Sequence, residues 1–426
     1  MPSTLTVRLL SVAALATLGL AALALGWREG RRHEVREAGR PLVLASGRDA
    51  RALTDEAIRL YAAGQFPRAC ERFSDAAEAD PANAVRRLDV SRCFEGWGWQ
   101  ALRDRRPEEA RLLFRRGLAE APDAPALLKG LGLATVHAGR ANEAIGPLER
   151  AVRADFDAEV RLLLAHLHDH RDDPASAIVH LRALLECEPG HEAARRLLEK
   201  VERERRAEAG FERDVTARFV VKYRAALGEE LRRQIVTLLD TAAERLGHAL
   251  AYRPGGRLTV VLYEHEQFQD VTRVHGWATA LFDGKIRLPV GPTLPPAAQL
   301  ERLIVHEYAH AAIHHLARGR APRWLQEGVA QALEGAPADP MLRVPGGLTL
   351  DGVEALVADP DLLRARAGYD IALWIVRDLL DRGGMEAMRE LLARLGAGEA
   401  IAEATLAVYG LRLAEIESQW RRLLGG

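Results

Sequence analysis

The stretch His137-Ala-Gly-Arg-Ala-Asn-Glu-Ala144, followed by Ala151 and Asp155-Phe156, decides the architecture of the first half of the chain. A glycine-containing turn leads into a segment whose Ala144 and Ala151 are two turns apart, hence on one face of a helix. Gly132 stands twelve residues before Ala144 and Phe156 twelve after it. The same spacing recurs in Ala57, Ala69, Pro81; in Gly98, Ala110, Pro122; and in Ala165, Ala177, Pro189. The alanine column advances by 41, then 34, then 33 residues. Self-similarity at such a period marks stacked supersecondary units.

A helix pair per period accounts for the pattern. Small residues let two helices approach closely, and proline closes the second helix where no further backbone donor is needed. The pattern resembles the tetratricopeptide repeat family over about residues 50 to 200. It departs from the family in the seven-residue excess before the second repeat and in Phe156 in a proline slot. An alanine-rich helical bundle is the plainer alternative. The resemblance implies a helical solenoid with a concave surface for a protein or peptide, and no chemistry of its own.

After a charged helical stretch, Glu199 to Arg213, the pattern changes. Thr216 to Tyr223 and Arg257 to Tyr263 are β-branched and aromatic runs that predict strands, with a helix from Glu229 to Ala249 between them. Asp283-Gly284 lies between two apolar runs within Ala278 to Val290 and predicts a hairpin turn. Strands followed by helices predict an α+β domain.

Downstream lies Leu300-Glu-Arg-Leu-Ile-Val-His306-Glu307-Tyr308-Ala309-His310, a helical run without Gly or Pro. Residues four apart share a helix face, so His306 and His310 can present two imidazoles to one ion. A catalytic zinc site takes three protein ligands and keeps a fourth position for water. Glu307, one step round the helix, is placed to take a proton from that water as general base. An accidental HExxH arises in roughly a few per cent of chains this long, so a third ligand has to be found. Pro322-Arg-Trp324-Leu-Gln-Glu327-Gly328-Val-Ala330 opens a second helix with Pro near its first turn, and Glu327 completes the set. A turn near Arg318-Gly319-Arg320 brings that helix back beside the metal, with Gly328 and Ala330 permitting close packing.

These motifs, HExxH followed by WLxEG, resemble the gluzincin metallopeptidases with a peptidase-MA-like domain, over about residues 210 to 426. The resemblance implies a zincin-like fold, Zn2+ held by His306, His310 and Glu327, and Glu307 as general base. Metzincins need Gly and His where Ile313 and Leu316 stand, which excludes them. The histidines His314 and His315 read as surface or supporting residues rather than ligands. Tyr369 resembles the tyrosine with which some relatives stabilise an oxyanion, but also reads as an aromatic staple before an apolar helix. Ile286, Leu288 and Val290 alternate, as in an edge strand that an extended substrate could join, or in an ordinary strand burying one face. Against the metal reading, Glu327 could be a carboxylate facing a helix dipole and the two histidines satisfied core residues.

At the amino terminus Leu9 to Trp27 carries no charge for nineteen residues, just enough to cross a bilayer core. It predicts an anchor, or a signal peptide cut after Ala22-Leu23-Ala24. Arg28, Arg31, Arg32 and Arg36 predict a cytoplasmic body, whereas signal-like termini deliver the rest of the chain out of the cytoplasm. The expectation adopted is a single-pass membrane protein with an envelope-facing body.

The 426 residues exceed any single small module. Fifty-nine basic against sixty acidic residues leave a net charge of -1, so no global field favours nucleic acid. Cys70, Cys93 and Cys187 are scattered, with no spacing that signals a disulfide framework or a thiolate zinc site. The sequence therefore predicts a mainly α chain: an N-terminal transmembrane segment within 1–30, a repeat domain over 50–200 and an α+β zinc metallopeptidase domain over 210–426. The expected function is a membrane-tethered zinc peptidase whose repeats recruit a protein or peptide. The alternative is a non-catalytic repeat scaffold that keeps a metal-binding module.

Overall fold

The computed structural model describes residues 48–273, 280–291, 296–339, 342–344 and 347–423. These fall into two compact units, one up to Val201 and one from Glu202.

The first unit is built of antiparallel helix pairs. They are α1 (Arg48–Ala62) with α2 (Phe66–Ala79), α3 (Ala84–Arg103) with α4 (Pro107–Glu120), α5 (Pro125–His137) with α6 (Ala141–Ala154), and α7 (Ala158–His170) with α8 (Pro174–Cys187). Each small residue of the twelve-residue comb falls within one of these helices. Ala57, Ala69, Ala110, Ala144, Ala165 and Ala177 are fully buried. A Cβ at Gly98 would lie 2.8 Å from the Phe114 ring, and one at Gly132 would lie 2.3 Å from Leu148 Cδ2, so both glycines are required by helix contact. The prolines Pro81, Pro122 and Pro189 each follow the end of a second helix. The seven-residue excess lies in α3, which has 20 residues against 13 in α5 and α7, so the insertion adds about two helical turns. In the proline slot, Phe156 is exposed and the Arg161 guanidinium sits 5.4 Å from its ring centroid.

Cys70 of α2 and Cys93 of α3 form a disulfide, with Cα atoms 5.5 Å apart, and Cys187 is free and exposed. Sequence spacing signals no such pair, because the two residues meet only through the packing of α2 on α3.

The helix α9 (Glu192–Ala207) carries the division between the units. The second unit then forms a five-stranded sheet from β1 (Glu212–Val215), β2 (Phe219–Tyr223), β3 (Leu258–Glu264), β4 (Leu281–Phe282) and β5 (Ile286–Val290), in the order β1-β2-β3-β5-β4. β1 falls where the sequence predicts a charged helix to continue to Arg213; its exposed ERDV run lacks the alternation that would reveal it. The pairs β2–β3 and β3–β5 are parallel, while β1–β2 and β4–β5 are antiparallel. Asp283-Gly284 makes the β4–β5 turn, with Gly284 at φ +99°. Ile286 pairs with both β3 and β4, so β5 begins as an interior strand rather than the edge the alternation allows.

One sheet face, through Phe219, Val221, Val260, Leu262, Ile286 and Leu288, joins a core with α10 (Glu229–Ala249) and the later helices. The opposite face, through Val261 and Tyr263, packs on α11 (His265–Thr272). On that face the buried Arg287 guanidinium donates to Asp283 Oδ1 at 3.0 Å and to Tyr263 Oη at 2.9 Å, and pairs with Glu204 at 3.0 Å. A buried cation is tolerated only with such partners, and this one ties the hairpin turn to β3 and α9.

The remaining helices are α12 (Ala297–Leu316), α13 (Arg323–Glu334), α14 (Leu350–Val357), α15 (Leu362–Ala397, kinked at Gly384), α16 (Ile401–Tyr409) and α17 (Leu413–Leu423). The single-pass membrane expectation is corrected. Among the described residues no helix is long and apolar enough to cross a membrane, and Leu9 to Trp27, on which that expectation rested, lies outside them.

Candidate metal centre

α12 places His306 and His310 one turn apart, and left-handed Arg318 and Gly319 turn the chain into α13. The α13 start is held from α14: Glu354 accepts hydrogen bonds from the Arg323 and Trp324 backbone N–H groups at 3.1 and 3.0 Å. This capping fixes the first turns of α13, from which Glu327 reaches the histidines. Gly328 serves a different contact from the one the sequence suggests. Its Cβ would stand 2.4 Å from the Ala372 carbonyl oxygen, so it admits α15, not α12.

His306, His310 and Glu327 converge. His306 Nε2 lies 3.1 Å from His310 Nε2 and 3.3 Å from Glu327 Oε2, and His310 Nε2 lies 3.4 Å from the same oxygen. Ligands at about 2.0–2.1 Å in a tetrahedron are separated by about 3.3 Å. The triangle of the three donor atoms therefore matches in size one face of such a tetrahedron, and their nature, two nitrogens and a carboxylate oxygen, could hold a zinc ion.

A residue to which the sequence motifs do not point completes the arrangement. Glu334, two turns after Glu327 on α13, sets Oε2 3.3 Å from His306 Nδ1. A neutral imidazole has one N–H, so with Nδ1 donating to Glu334 the Nε2 lone pair points at the other two ligand atoms. Such a carboxylate fixes the tautomer of a metal-ligating histidine and raises its basicity. The seven-residue interval from Glu327 is legible in the sequence, but no third-ligand argument calls for it.

The electrostatics ask for positive charge. Burial depresses His306, but the hydrogen bonds of Glu327 and Glu334, with the charges of Glu327 and Glu307, outweigh it and hold the imidazole well above its ordinary pKa. Burial would raise Glu327, yet the His310 charge and the hydrogen bonds of both histidines pull its carboxyl far down. Glu307 is 5% exposed and its Oε2 is buried without a hydrogen-bond partner. Burial raises its carboxyl against the pull of the two histidines.

Tyr369 lies in the second turn of α15 rather than before a helix, so it is not an entry staple. Burial raises its phenol, and the charges of Glu327 and Glu307 add to the rise. Its backbone carbonyl accepts from Gln331 of α13 at 2.9 Å. His314 packs on Phe282 at 5.9 Å and His315 on Tyr252 at 5.2 Å between ring centroids, and neither joins the ligand set.

Residues 101–167 match the tetratricopeptide repeat family. Among solved structures the chain is similar to YrrB, a tetratricopeptide repeat protein with an unusual peptide-binding site, at 20% identity over 36% of this chain and 76% of that one, TM-score 0.29. It is also similar to MamA, at 16% identity over 36% of this chain and 96% of that one, TM-score 0.25. A third is a thermophilic repeat protein of Thermus thermophilus, at 20% identity over 45% of this chain and 99% of that one, TM-score 0.23. No curated protein matches this chain. The family match lies wholly within the first unit, which therefore contains tetratricopeptide repeats. It does not reach His306, Glu307, His310 or Glu327.

Proposed function

We propose that the chain is a zinc-dependent peptidase, with the catalytic site in the second unit and a tetratricopeptide-repeat surface in the first that binds a protein or peptide. The observation that carries the peptidase reading is the triangle of His306 Nε2, His310 Nε2 and Glu327 Oε2, with edges of 3.1 to 3.4 Å, beside the unsatisfied buried carboxylate of Glu307. The repeat part of the reading rests on the family match at residues 101–167.

His306, His310 and Glu327 would hold the zinc, which when bound would supply Lewis-acid chemistry toward a peptide carbonyl and a water. The protein's own groups do the remainder. Glu334 holds His306 in the ligating tautomer. Glu307, kept dry by burial, takes the proton of the attacking water and returns it to the leaving amine nitrogen. Tyr369, its phenol kept protonated, donates a hydrogen bond to the oxygen on which charge develops.

The second reading, a non-catalytic repeat scaffold with a metal-binding module, draws its support from the same family match, since repeats alone call only for a partner. Glu307 distinguishes the two, because a module freed from catalysis has no need of a buried carboxyl group with an unpartnered oxygen, which costs folding free energy. The test is digestion of a mixed peptide library by wild type and by Glu307→Gln, with zinc content measured on both. Cleavage by wild type and a loss of about 10²-fold or more in the zinc-loaded variant supports the peptidase. Equal inactivity of both, with zinc bound, leaves the scaffold.

A further inference from the structure

The repeat unit holds a second convergence of metal-ligand side chains, on helices that the peptidase reading does not use. Glu149 of α6, His168 of α7 and His180 of α8 each offer a ligand atom, and these atoms all lie within 4.8 Å of one another. His168 and His180 follow the buried comb residues Ala165 and Ala177 by the same three positions, so the repeat register itself brings them together. Their rings stack with centroids 5.5 Å apart and planes 17° from parallel.

Each nitrogen of His168 faces a carboxylate: Nε2 lies 3.3 Å from Glu149 Oε1, and Nδ1 lies 3.3 Å from Asp173 Oδ2. His168 is 4% exposed, and neither nitrogen makes a hydrogen bond of proper geometry. A neutral imidazole has a single proton to give. One of the two contacts therefore sets a lone pair against an anion, which is stable only with a cation between them. A second proton on His168 would meet that need and still leave His180 Nδ1, also buried without a partner, unsatisfied. An ion seated among the three side chains takes a lone pair from each. Asp173 then stands to His168 as Glu334 stands to His306, the outer carboxylate that orients a ligating imidazole. The neighbouring Arg161 is turned to the Val152 carbonyl and the Phe156 ring. A cavity of about 530 Å³ lined by Glu149, Arg161, Ser176 and His180 gives solvent access for a fourth ligand.

From this geometry we infer that the repeat unit binds a divalent transition-metal ion, of the zinc class, through Glu149, His168 and His180, with Asp173 positioning His168. Two imidazoles and one carboxylate are the donor set that zinc accepts. The ion clamps α6 of one repeat to the α7–α8 pair of the next, and so fixes the angle at which these two repeats stack.

The experiment is zinc stoichiometry on the full chain, with circular-dichroism confirmation that each variant stays helical. Wild type, H168A/H180A, H306A/H310A and the milder E149Q are each equilibrated with Zn2+, gel-filtered and analysed for metal. The expected result is about two ions in wild type and about one in each double variant, with E149Q weakening the second ion by about 10-fold or more. Should H168A/H180A and E149Q leave both stoichiometry and affinity unchanged, or should folded H306A/H310A bind none, the repeat site is overturned. One ion in wild type that survives H306A/H310A and disappears in H168A/H180A keeps this inference while removing the proposed catalytic centre.

Discussion

His306 Nδ1 stands 3.3 Å from Glu334 Oε2 while its Nε2 faces Glu327 at the same distance, so one imidazole is held between two carboxylates of a single helix. The spacing of seven along α13 puts both acids on one face of the helix, and α12 lays the histidine between them. Glu334→Ala is expected to leave the fold intact and to weaken zinc binding by about 10- to 100-fold. Competition with a chelator of known affinity measures it, and an unchanged affinity would remove Glu334 from the centre.

Tyr369→Phe keeps the ring and removes the hydroxyl. If the phenol donates to the developing oxyanion, zinc content and substrate KM should stay near wild type while kcat falls by about 10²- to 10³-fold. A variant with unchanged kcat but a lowered melting temperature would instead mark Tyr369 as a packing residue.

Gly328→Ala tests the α13–α15 contact. The added methyl meets the Ala372 carbonyl oxygen at 2.4 Å and Val376 Cγ2 at 2.5 Å, and backbone cannot step aside as a side-chain tip can. An overpacked contact of this kind costs about 1–3 kcal/mol, read from denaturant unfolding. Because Glu327 is the adjacent residue, reduced zinc affinity should accompany the loss.

The disulfide between Cys70 and Cys93 closes a loop of 23 residues in the repeat unit. Replacing both cysteines by serine, or reducing the wild type, should lower the unfolding free energy of that unit by about 3 kcal/mol on the chain-entropy scale. Thiol titration before and after reduction gives the complementary check: one free thiol in the oxidised chain, from Cys187, and three after reduction.

Asp89 of α3 is buried with Oδ1 unpartnered, and burial raises its carboxyl to about 6 against the pull of Arg92 and Arg86. Between the ordinary carboxyl range and that value the folded chain keeps a proton that the unfolded chain has released. This group's contribution to stability therefore falls as pH rises through the window. Asp89→Asn should be more stable than wild type at pH 8, with the advantage shrinking as pH drops towards 4. A pH-independent difference would show that Asp89 titrates as an ordinary carboxylate.

Several elements are readable before any folding. The twelve-residue comb places one small residue in each helix of α1 to α8, because close helix contact imposes a residue-size limit that a sequence displays directly. The interval between His306 and His310 fixes their common face, since helix geometry alone sets it. The helix from Glu229 to Ala249 and the Asp283-Gly284 turn are likewise local decisions, made by periodicity and by the φ > 0 that glycine accepts. The nineteen uncharged residues from Leu9 carry a membrane expectation that no described helix supports. Tertiary structure decided the rest. That Cys70 meets Cys93, that Gly328 admits α15, and that Glu334 backs His306 depends on which helix faces which, and no spacing encodes that. The exposed strand β1 is defined by its pairing with β2, not by any pattern of its own. The same holds for Glu149, His168 and His180, which become neighbours only when successive repeats stack. Local geometry is written residue by residue in the chain, whereas a site assembled from three helices exists only after their buried faces have found one another.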